Sequence, residues 1–277
     1  MTVLSAPTAP LRFRAARDSA LIAGRNLRVL RKNPGRLIYP LVQPVVLLVM
    51  FVSVFGNLAL TGHAAAGAYR QFLIAGIIME NAALTAPTTG LALLRDASSG
   101  LADRFRSLPM SRAAVLAGRA ASDAIVFAAQ AVLLLAVATP LGFRVGDGLP
   151  GYAAIVGLTV VFGLALAVAS GWFALLLGDP ETAERVLFFP AIALVFISSA
   201  FAPVNDLAGW MQPIARANPV TAATAVLRSL AAGGPLATQS IELACWIAAL
   251  FLIPGTLAAR RWNTPRLRRP VPGLAAL

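Results

Sequence analysis

The sequence predicts an all-α integral membrane protein with six transmembrane helices, and three observations carry that prediction. Hydrophobic residues make up 58% of the 277 and charged ones 12%, with a mean hydropathy of +0.78, which rules out an ordinary water-soluble domain. Nearly uncharged runs recur along the chain, each close to the ~20 residues that cross a bilayer core at ~1.5 Å per residue. The cations between those runs alternate sides. Spans are expected near residues 37 to 60, 72 to 94, 113 to 139, 153 to 177, 186 to 202 and 239 to 258. Of the 23 Lys and Arg, eighteen then fall on the side of the two termini and four on the other, so both termini are expected in the cytoplasm.

The amino-terminal arm, residues 1 to 36, carries eight of those cations. On a helix over residues 20 to 36, Arg25, Arg28, Lys32 and Arg36 fall within about 80° of one another, with Leu27 and Leu30 opposite. Such a helix would lie along the inner membrane surface. Pro34 and Gly35 break it, and Tyr39, Pro40 and Pro44 begin the first span. Gln43 is the polar residue there, a candidate for lining a path or a dimer seam.

The second span holds Glu80 beside Asn81, and the third holds Arg119 and Asp123 at i and i+4. A bare ion inside a membrane costs roughly 2.5 to 3.5 kcal/mol, so these groups should be paired. At ~1.5 Å per residue from the inner boundary, Arg119 lies ~10 Å deep, Asp123 ~16 Å and Glu80 ~21 Å. Arg119 and Asp123 can neutralise each other. Glu80 has no cation at its depth on the neighbouring span, so it is neutral, hydrogen-bonded to Asn81 or another helix, or turned to a polar cavity. On the fourth span Gly163, Ala167 and Gly171 recur every four residues, a pattern that lets a neighbouring helix approach closely.

Between the second and third spans, residues 95 to 112 read RDASSGLADRFRSLPMSR. On a helix starting near Ser98, Leu101, Phe105 and Leu108 form one apolar face, while Asp103, Arg104 and Arg106 point elsewhere. A short helix of this kind suits a partner's groove, or else rests its apolar face on the lipid headgroups. Residues 203 to 235 are too broken for an ordinary span. Pro203, Gly209, Pro213, Asn218, Pro219 and Pro235 punctuate them, yet Trp210, Met211, Val220, Val226, Leu227 and Leu230 keep them half apolar. The basic tail, residues 259 to 277, closes the chain.

Several classes of function are excluded or disfavoured. The only lysine, Lys32, is followed by Asn33 and Pro34, so no phosphate-binding loop ending in Lys then Ser or Thr exists, and the chain is expected to bind no cofactor itself. The single His63 and single Cys245 leave neither a catalytic triad nor a metal cluster. The net charge of +12 sits on segments flanking spans, which fits membrane phosphates better than nucleic acid.

Three stretches reach a known family. LRVLRKNPGRLIYPLVQPVVLLVMFVSVFG, the segment ending GLADRFRSLPMSR, and SSAFAPVNDLAGWMQPIARANPVTAATAVLRSLAAGG together resemble the daunorubicin-resistance-type permeases of the type-2 ATP-binding-cassette exporters. The family's loop pattern is matched at Asp96, Gly100, Asp103, Arg104, Phe105, Pro109, Ser111 and Arg112, while Ser98 or Ser99 stands where a further acidic residue is often found. The resemblance implies a membrane subunit that pairs with a second copy or a paralogue and with two separate ATPase subunits, which carry the ATP and Mg. It makes residues 95 to 112 the coupling helix, with Leu101, Phe105 and Leu108 in a cleft of the ATPase and Asp103 and Arg104 fixing orientation. It makes Arg25 to Arg36 the interfacial helix, and it makes residues 203 to 235 re-entrant outer helices, a lid that includes Trp210, Pro219, Val220, Leu227 and Leu230. The function implied is export of an amphiphilic drug, antibiotic, lipid or glycan across a bacterial cytoplasmic membrane. A gradient-driven transporter is the rival, although no internal repeat or paired broken helices support it. A membrane-embedded enzyme using Glu80 and Asp123 ranks third.

Overall fold

The computed structural model of the chain describes residues 24, 34–55, 66–98, 112–234 and 237–263, and within them every regular element is helical. The helices are α1 (Pro34–Phe55), α2 (Ala66–Ser98), α3 (Arg112–Ala138), α4 (Gly148–Leu177), α5 (Pro180–Phe196), α6 (Gln212–Arg216), α7 (Pro219–Ala232) and α8 (Ala237–Asn263), with a short 3₁₀ turn over Val204–Asp206. Among the described residues, four stretches are long and apolar enough to cross a membrane: Gly67–Asp96, Ala117–Ala138, Gly148–Leu177 and Ala237–Pro254. The chain is therefore a multi-pass membrane protein. Leu41–Phe55 is a shorter apolar helix within α1.

α2 is the central post. From Leu73 to Ala83 every residue is buried, so the helix is covered all round rather than along one stripe. α4 packs along it with almost no room for side chains. A methyl group on Gly90 would sit 2.6 Å from the carbonyl carbon of Ser170, and one on Gly171 would sit 3.0 Å from Leu93 Cδ2. Gly163 of α4 faces α3 instead, where its missing side chain leaves room for the Phe127 ring, 2.7 Å from an ideal Cβ. The small-residue repeat on α4 thus admits two different neighbours, Phe127 at Gly163 and Leu93 at Gly171. Phe127, Phe143 and Phe162 are the largest fully buried side chains of the resulting core.

Helix ends depart from the expected boundaries for local reasons. α5 starts at Pro180, earlier than the expected 186, because Asp179 caps it by accepting a hydrogen bond from the Thr182 backbone N–H at 2.7 Å and Pro180 fits the first turn. It stops at Phe196 although the apolar run continues. Ser198 Oγ donates to the Val195 carbonyl and accepts from the Ala200 backbone N–H, offering the chain an alternative to helix. α1 begins at Pro34, the favoured first position, and runs on through Pro40 and Pro44. Left-handed glycines, Gly178 at φ 74° and Gly233 at φ 67°, end α4 and α7.

Candidate functional site

The polar residues expected on the first two spans meet in one cavity of about 260 Å³ between α1, α2 and α5. On α2 the positions Ile77, Glu80, Asn81, Leu84, Thr85 and Thr88 follow helical spacing and form a single stripe. Gln43 faces it from α1, and Phe188 and Ile192 close the far wall from α5. Glu80 and Asn81 are each 8% exposed, and Asn81 Nδ2 is buried with no hydrogen-bond partner among the described residues. Nor does any described cation pair with Glu80. Adjacent residues on a helix do not face each other, which is why Glu80 and Asn81 make no bond to one another. The chamber is amphipathic: polar groups on α2 and Gln43 on α1, with aromatic and aliphatic side chains from α5 closing it. Such a site orients a ligand that carries both an apolar body and hydrogen-bonding groups.

A second polar level lies at the ends of α2 and α3 that flank residues 99–111. Arg119 Nη1 is 2.9 Å from Asp96 Oδ2, its Nη2 donates to the Thr89 carbonyl at 3.1 Å, and its Nε lies 3.4 Å from Asp123 Oδ2. The expected Arg119–Asp123 neutralisation is present, with Asp96 as a second acid. Asp96 itself, expected on the coupling segment, belongs to the last turn of α2 and bonds to α3. Its neighbour Arg95 points the other way and meets Glu184 of α5 at 2.8 Å. Two consecutive residues thus tie α2 to the helices on either side of it.

The third level is at the opposite end. Arg228 of α7 donates to the carbonyls of Phe72 (3.2 Å), Ser199 (2.7 Å) and Ala200 (3.3 Å) and to Ser199 Oγ (3.2 Å), and its guanidinium lies 3.4 Å from the centre of the Phe72 ring. Asn218 Nδ2 donates to the Leu194 and Ile197 carbonyls at 2.7 and 2.6 Å while its Oδ1 accepts from Val220 N–H. Together these two side chains satisfy the last turn of α5 and pin α7 against α2 and α5. Of the expected lid, Pro219, Val220 and Leu227 are buried, Leu230 is half-buried and Trp210 is 69% exposed.

Arg25, Arg28, Lys32, Gly100, Leu101, Asp103, Arg104, Phe105, Leu108 and Pro109 lie outside the described residues, and Arg36 is described only as backbone of α1. Among the described residues no three metal-ligating side chains come together. Sequence reasoning missed Thr85 and Thr88, although their spacing from Glu80 and Asn81 continues the stripe. It also missed Arg228, whose signal was one of two cations in a half-apolar segment.

Comparison with known proteins places the sequence among transporter permeases. Over 228 residues, 81% of either chain, the sequence is 32% identical to the probable doxorubicin resistance ABC transporter permease protein DrrC of Mycobacterium tuberculosis. It is 28% identical over 232 residues, 84% of this chain and 81% of the relative, to the daunorubicin resistance ABC transporter permease protein DrrB1 of Streptomyces coeruleorubidus. A putative transport permease, ycf38 of Pyropia yezoensis, is 26% identical over 210 residues, 73% of this chain and 69% of the relative. Residues 19–231, which hold the cavity, the ion-paired helix ends and nearly all of α7, match the ABC-2 type transporter family, and the chain belongs to that family.

Proposed function

We propose that this chain is the membrane subunit of an ATP-driven exporter that moves an amphiphilic drug, antibiotic, lipid or glycan outward across a bacterial cytoplasmic membrane. Residues 37–258 form a six-span domain on this reading, with the 1–36 arm, its interfacial helix and the 259–277 tail all cytoplasmic. Two separate ATPase subunits bind ATP and Mg and drive a dimer of this chain with itself or a paralogue. The observation that carries the reading is the amphipathic cavity between α1, α2 and α5 in a chain of the ABC-2 type transporter family. α2 continues from that cavity to the segment proposed to dock on the ATPase, so a pull at one end is felt at the other. Relatives named for doxorubicin and daunorubicin resistance support a drug or antibiotic among these cargoes.

The outer segment completes the proposal. α6 and α7 are re-entrant helices over the exit, with Val220 and Leu227 turned inward and backbone at that depth shielded by protein. Docking is tested by Phe105→Asp, which places a charge on the face that enters the ATPase groove. The variant should reach the membrane in normal amount, lose co-purification of its ATPase partner, and lose ATP-dependent export. Normal recruitment and export would remove residues 99–111 from the coupling role. Uptake or efflux that follows a proton gradient without ATP would hand the chain to the gradient-driven class.

A further inference from the structure

Glu80 is a buried acid turned to a cavity, and the described cations nearest to it along α2 are committed elsewhere. Arg228 spends its guanidinium on carbonyls at the Phe72 level, about 12 Å along α2 at ~1.5 Å per residue. Arg119 is held by Asp96, Asp123 and the Thr89 carbonyl, about 14 Å the other way. Arg95 pairs with Glu184 about 22 Å from Glu80, and the next residue of α5, Arg185, lies within electrostatic reach of Asp179 at the start of that helix. A buried carboxyl without a partner is unusual enough to need a reason. The same stripe holds a second unsatisfied group, Asn81 Nδ2.

The cavity has a closed end and an open one. Ile77, Glu80 and Asn81 are buried, whereas Gln43 and Thr88 are exposed, so Glu80 stands about 12 Å along α2 from the mouth. The wall between them accepts more than it donates. Thr88 Oγ1 gives its hydrogen to the Thr85 carbonyl at 2.7 Å and Thr85 Oγ1 gives its own to Gln130 Oε1 at 3.4 Å, which leaves both hydroxyls only their lone pairs. Leu47, Leu84, Phe188 and Ile192 supply apolar surface, and no Lys or Arg lines the cavity among the described residues. A phosphate or carboxylate here would meet an acid and acceptor oxygens with no cation to neutralise it; an ammonium would meet its counter-ion. A larger apolar groove of about 510 Å³ on the other side of α5, lined by α2, α4, α5 and α8 among others, has no ionisable side chain and cannot make that choice.

We propose that the α1–α2–α5 cavity selects amphiphiles that carry a protonated amine: the ammonium enters first, Glu80 is its counter-ion, and the apolar body trails between Leu47, Leu84 and Phe188. The proposal rests on the exporter reading above and narrows its cargo. Amine-bearing amphiphiles are taken, and lipids or glycans whose charge is a phosphate or a carboxylate are refused.

The test uses the full chain in phosphatidylcholine nanodiscs at neutral pH and dodecylamine with a mid-chain diazirine, compared with its N-acetyl derivative and with dodecyl phosphate carrying the same diazirine. After irradiation, adducts on Leu47, Leu84 and Phe188 are measured against adducts on Phe173, which lines the apolar groove and not the cavity. The amine should exceed both comparators at the cavity positions and match them at Phe173. Glu80→Gln, which keeps the shape, should lower cavity labelling by the amine about tenfold, the difference between a charge-assisted and a neutral hydrogen bond, and leave the N-acetyl probe unchanged. Leu84→Trp, which fills the cavity and keeps the carboxyl, should remove the amine's excess as well. Equal cavity labelling by the three probes in the unmodified chain, an excess of the phosphate, or an amine excess that survives Glu80→Gln would overturn the proposal. Labelling needs no ATPase, so charge-selective labelling in a chain that exports nothing with ATP would support the cation site and remove the exporter reading.

Discussion

Replacing Gly76 by alanine probes how tightly α2 is locked against the turn that follows α5. An ideal Cβ at Gly76 would sit 1.8 Å from the Ala200 carbonyl oxygen and 2.6 Å from its carbon. A carbon normally approaches a carbonyl oxygen no closer than about 3.3 Å, so the helix and the turn must part by about 1.5 Å. The blocking atom is backbone, not the end of a flexible side chain, which places the overpacking cost near the upper end of its usual range, about 3 kcal/mol. Removing a glycine from a helix interior returns about 1 kcal/mol. The net loss is about 2 kcal/mol, or about 4–8 °C in Tm for a protein of this size. Parting the two elements also pulls the Ser199 and Ala200 carbonyls away from Arg228, so the loss should not be confined to α2.

The control lies on the same helix. Gly67 has nothing within 4 Å of an ideal Cβ, so Gly67→Ala should leave Tm unchanged or raise it slightly. Both variants are measured as purified protein in the same detergent, by heating and following the folded fraction on size exclusion. A Gly76→Ala protein as stable as Gly67→Ala would mean that α2 and the Ser199–Ala200 turn are not in contact, and the packing argument for this end of α2 would fail.

Three further outcomes are expected. Glu80→Gln keeps shape and removes only ionisation, so it should preserve folding and ATPase recruitment while altering export rate or its pH dependence; identical export from pH 5.5 to 8.5, an interval of roughly three units chosen to span ordinary titration of buried acids, would make Glu80 purely structural. Single cysteines at Val220 and Leu227, in a Cys245→Ser background, should resist a membrane-impermeant thiol reagent in intact cells, whereas one at the exposed Asn205 should react; equal fast labelling would reduce the outer segment to a surface loop. The bond from Thr182 N–H holds the Asp179 carboxyl below its ordinary value, so its contribution is present at neutral pH and is lost as pH falls through that lowered value. Asp179→Ala should accordingly lower Tm at pH 7 and make no difference under strongly acidic conditions; a Tm difference that persists in acid would locate the effect elsewhere.

The membrane class was legible because it depends on composition and run length, which need no knowledge of packing. α2, α3, α4 and α8 each contain a stretch that meets the length and apolarity required of a span, close to where the uncharged runs lie. The Arg119–Asp123 pair was legible because i,i+4 geometry is fixed by the helix itself. Contacts between helices were not. Asp96 reads as part of a hydrophilic connector, and only the packing of α2 on α3 brings it to Arg119. Arg228 reads as one of two cations in a broken segment, yet three of its partners are backbone carbonyls that carry no side-chain signature. The early end of α5 was hidden for the same reason, since Ser198 and Asn218 act on main-chain groups whose availability depends on the fold.

α2 reaches all three polar levels: Phe72 and Gly76 at one end, Glu80 and Asn81 in the cavity, Arg95 and Asp96 at the other end. Its neighbour α5 repeats the pattern with Ser199 and Ala200 just beyond one end, Phe188 and Ile192 in the cavity wall, and Glu184 near the other. Each helix carries one interior proline, Pro87 and Pro190, and each proline removes the hydrogen bond to the carbonyl four residues earlier, at Ala83 and Val186. Both prolines and both of those residues line the apolar groove. The bending points of the two helices therefore lie on the side away from the polar stripe. The α1–α2–α5 cavity lies between the Arg95–Glu184 pair and the Arg228 cluster, so a bend at Pro190 acts on Phe188 and Ile192 in its wall.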